Sequence, residues 1–170
     1  MSLEILLSDK KSCIIKKWRD MLVGTYPADT KRFFEKEKDQ FANPVGHAIN
    51  KEMEILYDAV TGRGDMDKVS SSLDSIIRIR AVQDFDPSLA IGFVLQLKRV
   101  IRDELGEKIP GNGSRHEIEA LYDRIDEMAL LAFDIYSRCR QQIYEIRVNE
   151  VKNNVGKLLE RANLTLEISE

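Results

Sequence analysis

The sequence predicts an all-α fold, and three features of its pattern support this prediction. Apolar residues recur at spacings of three and four through most of the chain, as on one face of a helix. All four prolines fall between these apolar segments, where helices begin or end. No segment alternates apolar and polar residues for long enough to form a strand. A chain of 170 residues fits one domain of ordinary size and can bury a substantial core.

A glycine and a proline separate the first two predicted helices. The first helix covers residues 3–24, with Trp18 on its apolar stripe. Gly24 follows the last apolar position, as expected of a glycine that ends a helix. Pro27 is well placed to open a second, short helix that continues through Phe34.

Two further helices are predicted to begin at a capping side chain followed by a proline. Asn43 precedes Pro44, and Asp86 precedes Pro87. Proline has no backbone N–H and a fixed φ, so it suits the first position of a helix. The asparagine or aspartate ahead of it can accept a hydrogen bond from a free N–H of the first turn.

The most apolar part of the chain is the segment of residues 73–98, which a single proline interrupts. The helix before this proline follows a glycine-containing turn at residues 61–64, and we expect Asp65 to cap it. The helix after the proline is apolar on both sides, with Leu89 on one and Leu95 on the other. Helices apolar nearly all round are buried by their neighbours, so we expect two buried helices that meet at a sharp corner.

The last predicted helix is far longer than the others. Residues 106–113 hold a proline and three glycines and read as a loop, and Ser114 with Glu117 forms a capping box. No helix breaker follows for a long way. Near the end of the helix the spacing alternates between four and three, which is a short heptad seam. This seam consists of Tyr144, Val148, Val151, Val155 and Leu158, with Ala162 after them.

The seam predicts a division of the chain and a dimer. We expect a helical domain at residues 1–143 and an extension of the last helix at residues 144–170. Typical globular helices have about 8–20 residues, so a helix of roughly 50 residues needs a partner, and the simplest partner is a second copy. Two alternatives stay open: the helix folds back after Asn153-Asn154 or Gly156, or it ends as a frayed tail.

Composition excludes several functional classes. The net charge of −3 gives no general reason to bind nucleic acid or an acidic membrane. No apolar run approaches the roughly 20 residues that span a bilayer, and the first residues lack the order of a signal peptide, so we expect a cytoplasmic protein. Cys13 and Cys139 belong to no CxxC pair, which argues against a zinc site.

Arg80 and Gln83 are the polar exceptions on or beside an inward-facing stripe. A buried guanidinium must be paired, because an unpaired buried charge is very costly. One interpretation is structural, an ion pair of Arg80 with Asp84 or Asp74. The other is functional: Arg80 and Gln83 line a small cavity between helices that binds an anion or a signal molecule.

The chain shows no catalytic motif. It contains no glycine-rich phosphate loop ahead of a helix, no HExxH and no GxSxG. His116 with its acidic neighbours makes a poor metal site, because helical spacing brings only some of them together. We therefore expect neither an enzyme nor a bound metal.

Several segments together resemble a known family. They are Trp18, Tyr26-Pro27, Phe33, the segment Phe41-Ala42-Asn43-Pro44-Val45-Gly46, and above all Ile77-Arg78-Ile79-Arg80-Ala81-Val82-Gln83-Asp84-Phe85 followed by Pro87-Ser88-Leu89-Ala90. With these residues the chain resembles the N-terminal domain of the RsbT co-antagonist proteins RsbR and RsbD of the stressosome. The resemblance covers residues 10–105 well and the last helix loosely.

The resemblance implies a globin-like fold without haem, packed as a homodimer, that acts as a sensory or signalling module. In the family the last helix leads into a C-terminal STAS domain, and we expect none within these 170 residues. A haem iron needs a histidine that projects into an apolar pocket. Neither His47 nor His116 lies in the middle of an apolar helix face, so we expect no cofactor.

The sequence therefore predicts a non-catalytic sensory or regulatory interaction module that binds a protein partner or a small signal as a homodimer. The alternative is a small-molecule or cofactor-binding accessory subunit of a redox or metabolic complex.

Overall fold

The computed structural model describes residues 2–37, 39, 41–106 and 111–162, with residues 66 and 111–114 described by their backbone. The described chain contains six α-helices, one short 3-10 helix and no strand, which confirms the all-α prediction. The α-helices are α1 (Leu3–Val23), α2 (Ala28–Lys36), α3 (Pro44–Val60), α4 (Val69–Val82), α5 (Pro87–Leu105) and α6 (Gly111–Arg161). No helix among these residues is long and apolar enough to cross a bilayer.

Proline and asparagine start helices as the sequence predicts. Pro44 and Pro87 occupy the first turns of α3 and α5. The Asn43 side chain accepts a hydrogen bond from the N–H of Gly46 at 2.9 Å. The expected cap at Asp86 is wrong, because its carboxylate accepts no such bond. Pro87 alone supplies the local preference for a helix start there.

The remaining boundaries differ by a few residues from the predicted ones. Asp65 accepts a bond from the N–H of Asp67 and caps the 3-10 turn Met66–Lys68, so α4 begins only at Val69. The last helix begins at Gly111, ahead of the predicted capping box. The Ser114 side chain of that box lies outside the described residues, as do residues 107–110 of the predicted loop.

The helices pack around one core. The long helix α6 lies against α4 and α5, while α1 packs on α5 and α3 packs on α4. Trp18 is buried, and its indole N–H donates to the carbonyl of Phe93 at 2.6 Å. Tyr57 is buried too, and its hydroxyl donates to the carbonyl of Leu7 at 2.9 Å. Both bonds join helices that are distant in sequence, so they fix how α1 sits against α5 and α3.

Helix α5 is less buried than its apolar composition predicts. Phe93, Val94 and Leu97 are buried, but Leu89 and Leu95 remain about half exposed. The neighbours of α5 cover one side of it, namely α1 and α6. A pattern that is apolar all round therefore did not identify which side of α5 stays uncovered.

The last helix runs without a break to Arg161. Its earlier part belongs to the core through Leu121, Ile125, Met128 and Cys139. Its later part contributes no residue to that core. The two alternatives that fold it back, after Asn153-Asn154 or Gly156, are wrong, because both places lie inside a continuous helix.

Candidate functional site

The corner between α4 and α5 is a helix-ending motif that positions one aromatic ring. The N–H of Phe85 bonds the carbonyl of Arg80 at 3.2 Å, and the N–H of Asp84 bonds the carbonyl of Ala81 at 3.3 Å. These are the two bonds of a Schellman motif. Asp84 has a φ of 63°, the left-handed conformation that the motif requires, and aspartate is one of the few residues that adopt it. The motif brings Phe85 back over the last turn of α4.

Arg80 lies beneath that ring and is wholly buried. Its Nη2 donates to Oγ1 of Thr25 at 2.9 Å and to the carbonyl of Leu89 at 2.7 Å. The guanidinium carbon lies 4.2 Å from the centre of the Phe85 ring and 5.1 Å from that of Tyr26. Rings at these distances attract a cation through their quadrupole. Arg80 therefore binds three segments together: α4, the α1–α2 connection and the first turn of α5.

The charge of Arg80 is not balanced by a carboxylate within the described residues. The expected pairs are absent, because Asp84 pairs with Arg140 and Asp74 pairs with Arg78. Nε and Nη1 of Arg80 are buried without a hydrogen-bond partner, and so is the hydroxyl of Tyr26. Burial lowers the pKa of the Arg80 guanidinium and raises that of the Tyr26 hydroxyl. The structure thus holds a desolvated cation with two unpartnered nitrogens, an arrangement that an anionic group would stabilise.

A cavity of about 440 Å³ opens to solvent directly above Arg80. Gln83, the C-cap residue of α4, is exposed and lines it. Arg80 itself lies one layer deeper, behind the residues that form the wall. The lining residues are Thr25, Tyr26, Pro27, Thr30, Gln83, Asp84, Phe85, Asp86 and Leu89.

The corner is also tied to the long helix. Nη1 of Arg140 donates to the carbonyl of Ala81 at 3.0 Å and to the Asp84 carboxylate at 2.6 Å. Nη2 of Arg140 donates to the Tyr144 hydroxyl at 3.0 Å. The Tyr136 hydroxyl donates to the backbone carbonyl of Phe85 at 2.6 Å. Tyr144 is the first residue of the predicted seam, so Arg140 connects the corner to the seam through hydrogen bonds.

The seam residues are all exposed in the single chain. The exposed fractions are 52% for Tyr144, 50% for Val148, 62% for Val151, 48% for Val155 and 63% for Leu158. Leu130 and Phe133 are also half exposed or more, and with 3.6 residues per turn they fall on the same face of α6. The apolar face therefore begins on the part of α6 that packs on the body and continues along the part that leaves it.

Sequence reasoning missed three residues of this arrangement: Tyr26, Phe85 and Arg140. Tyr26 and Phe85 stand in turns between helices, and no periodic pattern shows that the centres of their rings lie 5.0 Å apart. Arg140 could have been noticed because it stands four residues after Tyr136 and four before Tyr144, on one face of α6. Both histidines are exposed, and no group of three potential metal ligands converges in the described part of the chain.

Comparison with known proteins gives one family and one relative. Residues 13–151 match the family model described as the RsbT co-antagonist protein rsbRD N-terminal domain. An uncharacterized protein of Archaeoglobus fulgidus is 28% identical over 144 residues, which are 84% of each chain. No solved structure matches the chain significantly.

Proposed function

Because the chain belongs to the family of RsbT co-antagonist protein rsbRD N-terminal domains, we propose that it is a sensory interaction module that acts as a homodimer and binds a protein partner or a small signal. The family itself is one of stressosome-related sensory and regulatory domains. The observation that carries the proposal is the uncovered apolar face of α6. The proposed role requires no catalytic residue.

The terminal part of α6 needs a partner to be stable. Between Tyr144 and Arg161 every side chain is exposed, and only Gly156 is partly covered. In proteins most helical stability comes from packing of an apolar face rather than from intrinsic propensity. Packing of its apolar face supplies the missing stabilisation. We propose residues 1–143 as the domain body and residues 144–170 as the dimerisation extension, of which residues 163–170 lie outside the described chain.

The spacing of the seam favours a second copy of the same helix. Alternating steps of four and three place Val148 and Val155 at one heptad position and Val151 and Leu158 at the other. Valine at the first position favours a two-stranded coiled coil when leucine occupies the second, as Leu158 does here. Leu130 and Phe133 extend the face onto the body, so the same two-fold contact would cover them. The proposed dimer interface therefore includes the domain bodies as well as the ends of the two α6 helices.

The body of the domain offers a route by which a signal reaches the seam. A ligand or partner that contacts the corner between α4 and α5 also acts on Arg140, which bonds both the corner and Tyr144. Such a molecule changes the dimer only if it binds two arrangements of the helices with different affinity. We propose that the corner is the bistable element and that α6 carries its change to the dimer seam. We propose the globin-like arrangement of the body on the family relationship alone.

The homodimer is tested by measuring particle mass in solution. Light scattering coupled to size-exclusion chromatography over a micromolar concentration series should give twice the chain mass of 19.5 kDa. A particle that stays at the mass of one chain throughout the series contradicts the homodimer.

A ligand-binding accessory subunit is the second candidate, and the cavity above Arg80 favours it. Native mass spectrometry of protein purified from its own cells separates the two functions. A small molecule that copurifies with a monomeric chain supports the accessory subunit, whereas a dimer with an exchangeable site supports the sensor.

A further inference from the structure

The buried guanidinium of Arg80 is a cation without a counterion among the described residues. Its Nη2 is satisfied by Thr25 and Leu89, but Nε and Nη1 have no partner. A buried ion of this kind is stabilised when an opposite charge and further hydrogen bonds reach it. A planar carboxylate fits best, because it can accept two N–H groups of one guanidinium at once.

Two aromatic rings separate this guanidinium from the cavity. The rings of Tyr26 and Phe85 both cover Arg80 and both line the cavity. A ligand in the cavity reaches Nε and Nη1 only if the partly exposed Phe85 ring moves off the guanidinium. This movement replaces one cation–ring contact by charge-assisted hydrogen bonds, which are stronger. A carboxylate that enters the cavity can therefore reach the arginine.

The mouth of the cavity carries negative charge, and this narrows the class of ligand. Asp84 is neutralised by Arg140, but Asp86 is exposed and pairs with no cation in the described part of the chain. A ligand with only a negative group would meet this carboxylate on entry. A ligand that also carries an ammonium group would pair with it. The hydroxyl of Thr30 and the amide of Gln83 can donate or accept hydrogen bonds between the two charges.

We propose that the cavity binds a free amino acid, with its carboxylate directed to Arg80 and its ammonium to Asp86. The volume of about 440 Å³ lies within the range of small-molecule sites and exceeds what a short amino acid needs. Leu89 and the two aromatic rings give the side chain of the ligand an apolar wall. The inference deepens the proposed sensory function by naming the class of signal, and its test does not require a dimer.

Thermal unfolding with single amino acids tests the class of ligand. Each of the standard L-amino acids is added to the purified chain at constant ionic strength, with acetate and ethylammonium as probes that carry only one of the two charges. At about 100 times its Kd, a bound amino acid should raise Tm by about 5–10 °C. Neither single-charge probe should match this rise. The proposal is overturned if no amino acid raises Tm, or if acetate or ethylammonium raises it as much as the best amino acid.

Titration calorimetry on variants tests the two charges. Asp86→Asn should weaken binding of the best amino acid at least about tenfold, because it removes the partner of the ammonium. Its side chain makes no capping bond, so the fold should be unaffected. Asp123→Asn is the matched control, since it removes one exposed carboxylate of α6 away from the cavity. Equal affinities for wild type and Asp86→Asn would overturn the assignment.

Arg80→Gln should abolish binding. If this variant fails to fold, the comparison of Asp86→Asn with its control still decides the question. Failure of the ligand assignment and failure of the homodimer are distinguishable, because the first is measured by titration and the second by particle mass.

Discussion

The double substitution Val151→Asp, Leu158→Asp should dissociate the proposed dimer into monomers. In the single chain the two side chains are 62% and 63% exposed. Full burial of a valine or leucine side chain contributes about 1.5–3 kcal/mol, so covering the exposed part contributes about 1–2 kcal/mol each. A dimer contains four such side chains, so their loss removes about 4–8 kcal/mol of the association free energy. The buried carboxylates add to this loss.

This free energy corresponds to a large change in the dissociation constant. Since about 1.4 kcal/mol is a factor of ten, the double variant should raise the Kd of the dimer by roughly 10³–10⁶. Sedimentation velocity across a micromolar dilution series should show monomers where the wild type is dimeric. Circular dichroism should show a partial loss of helix, because the unpaired end of α6 frays.

Asn149→Asp with Asn153→Asp is the matched control. It adds the same two charges to the same helix but on the opposite face, so it should leave the dimer intact. A dimeric Val151→Asp, Leu158→Asp variant would place the interface elsewhere. Equal dissociation in the control variant would mean that charge rather than the apolar face determines association.

Three further predictions concern the stability of the body. Asn43→Ala should reduce the free energy of unfolding by about 1 kcal/mol in urea titrations, because Asn43 caps α3. Asp86→Ala should leave the free energy of unfolding nearly unchanged, because the Asp86 carboxylate makes no capping bond. Equal losses would contradict this difference between the caps. A hydrogen bond from Lys17 lowers the pKa of Glu104, so Glu104 stabilises the fold above its ordinary pKa near 4.5 and loses that effect as pH falls through the lowered value. Glu104→Gln should therefore lower Tm by about 1–4 °C at neutral pH and by nothing at strongly acidic pH, and a loss independent of pH would refute this. Tyr57→Phe should reduce stability by about 1 kcal/mol, because its hydroxyl donates to a backbone carbonyl of α1, and an unchanged urea midpoint would show that this bond is not needed.

The corner between α4 and α5 shows where reasoning from the sequence stops. Asp84 comes four residues after Arg80, so the two would share a helix face if α4 continued. The helix ends at Val82, however, with Gln83 as its cap, and Asp84 takes a left-handed conformation beyond it. Its carboxylate then meets Arg140 of α6. The pairing that local spacing suggests is wrong because the end of the helix turns the second residue away.

The sequence itself determined the all-helical class and the helix starts at Pro44 and Pro87. These features follow from φ restrictions and apolar spacing within a few residues, and no neighbour is needed to enforce them. Only the tertiary structure decided that two rings from separate turns cover Arg80, and that Leu89 and Leu95 stay half exposed. Which side chains meet across helices depends on how the helices pack, and many packings satisfy the same apolar pattern.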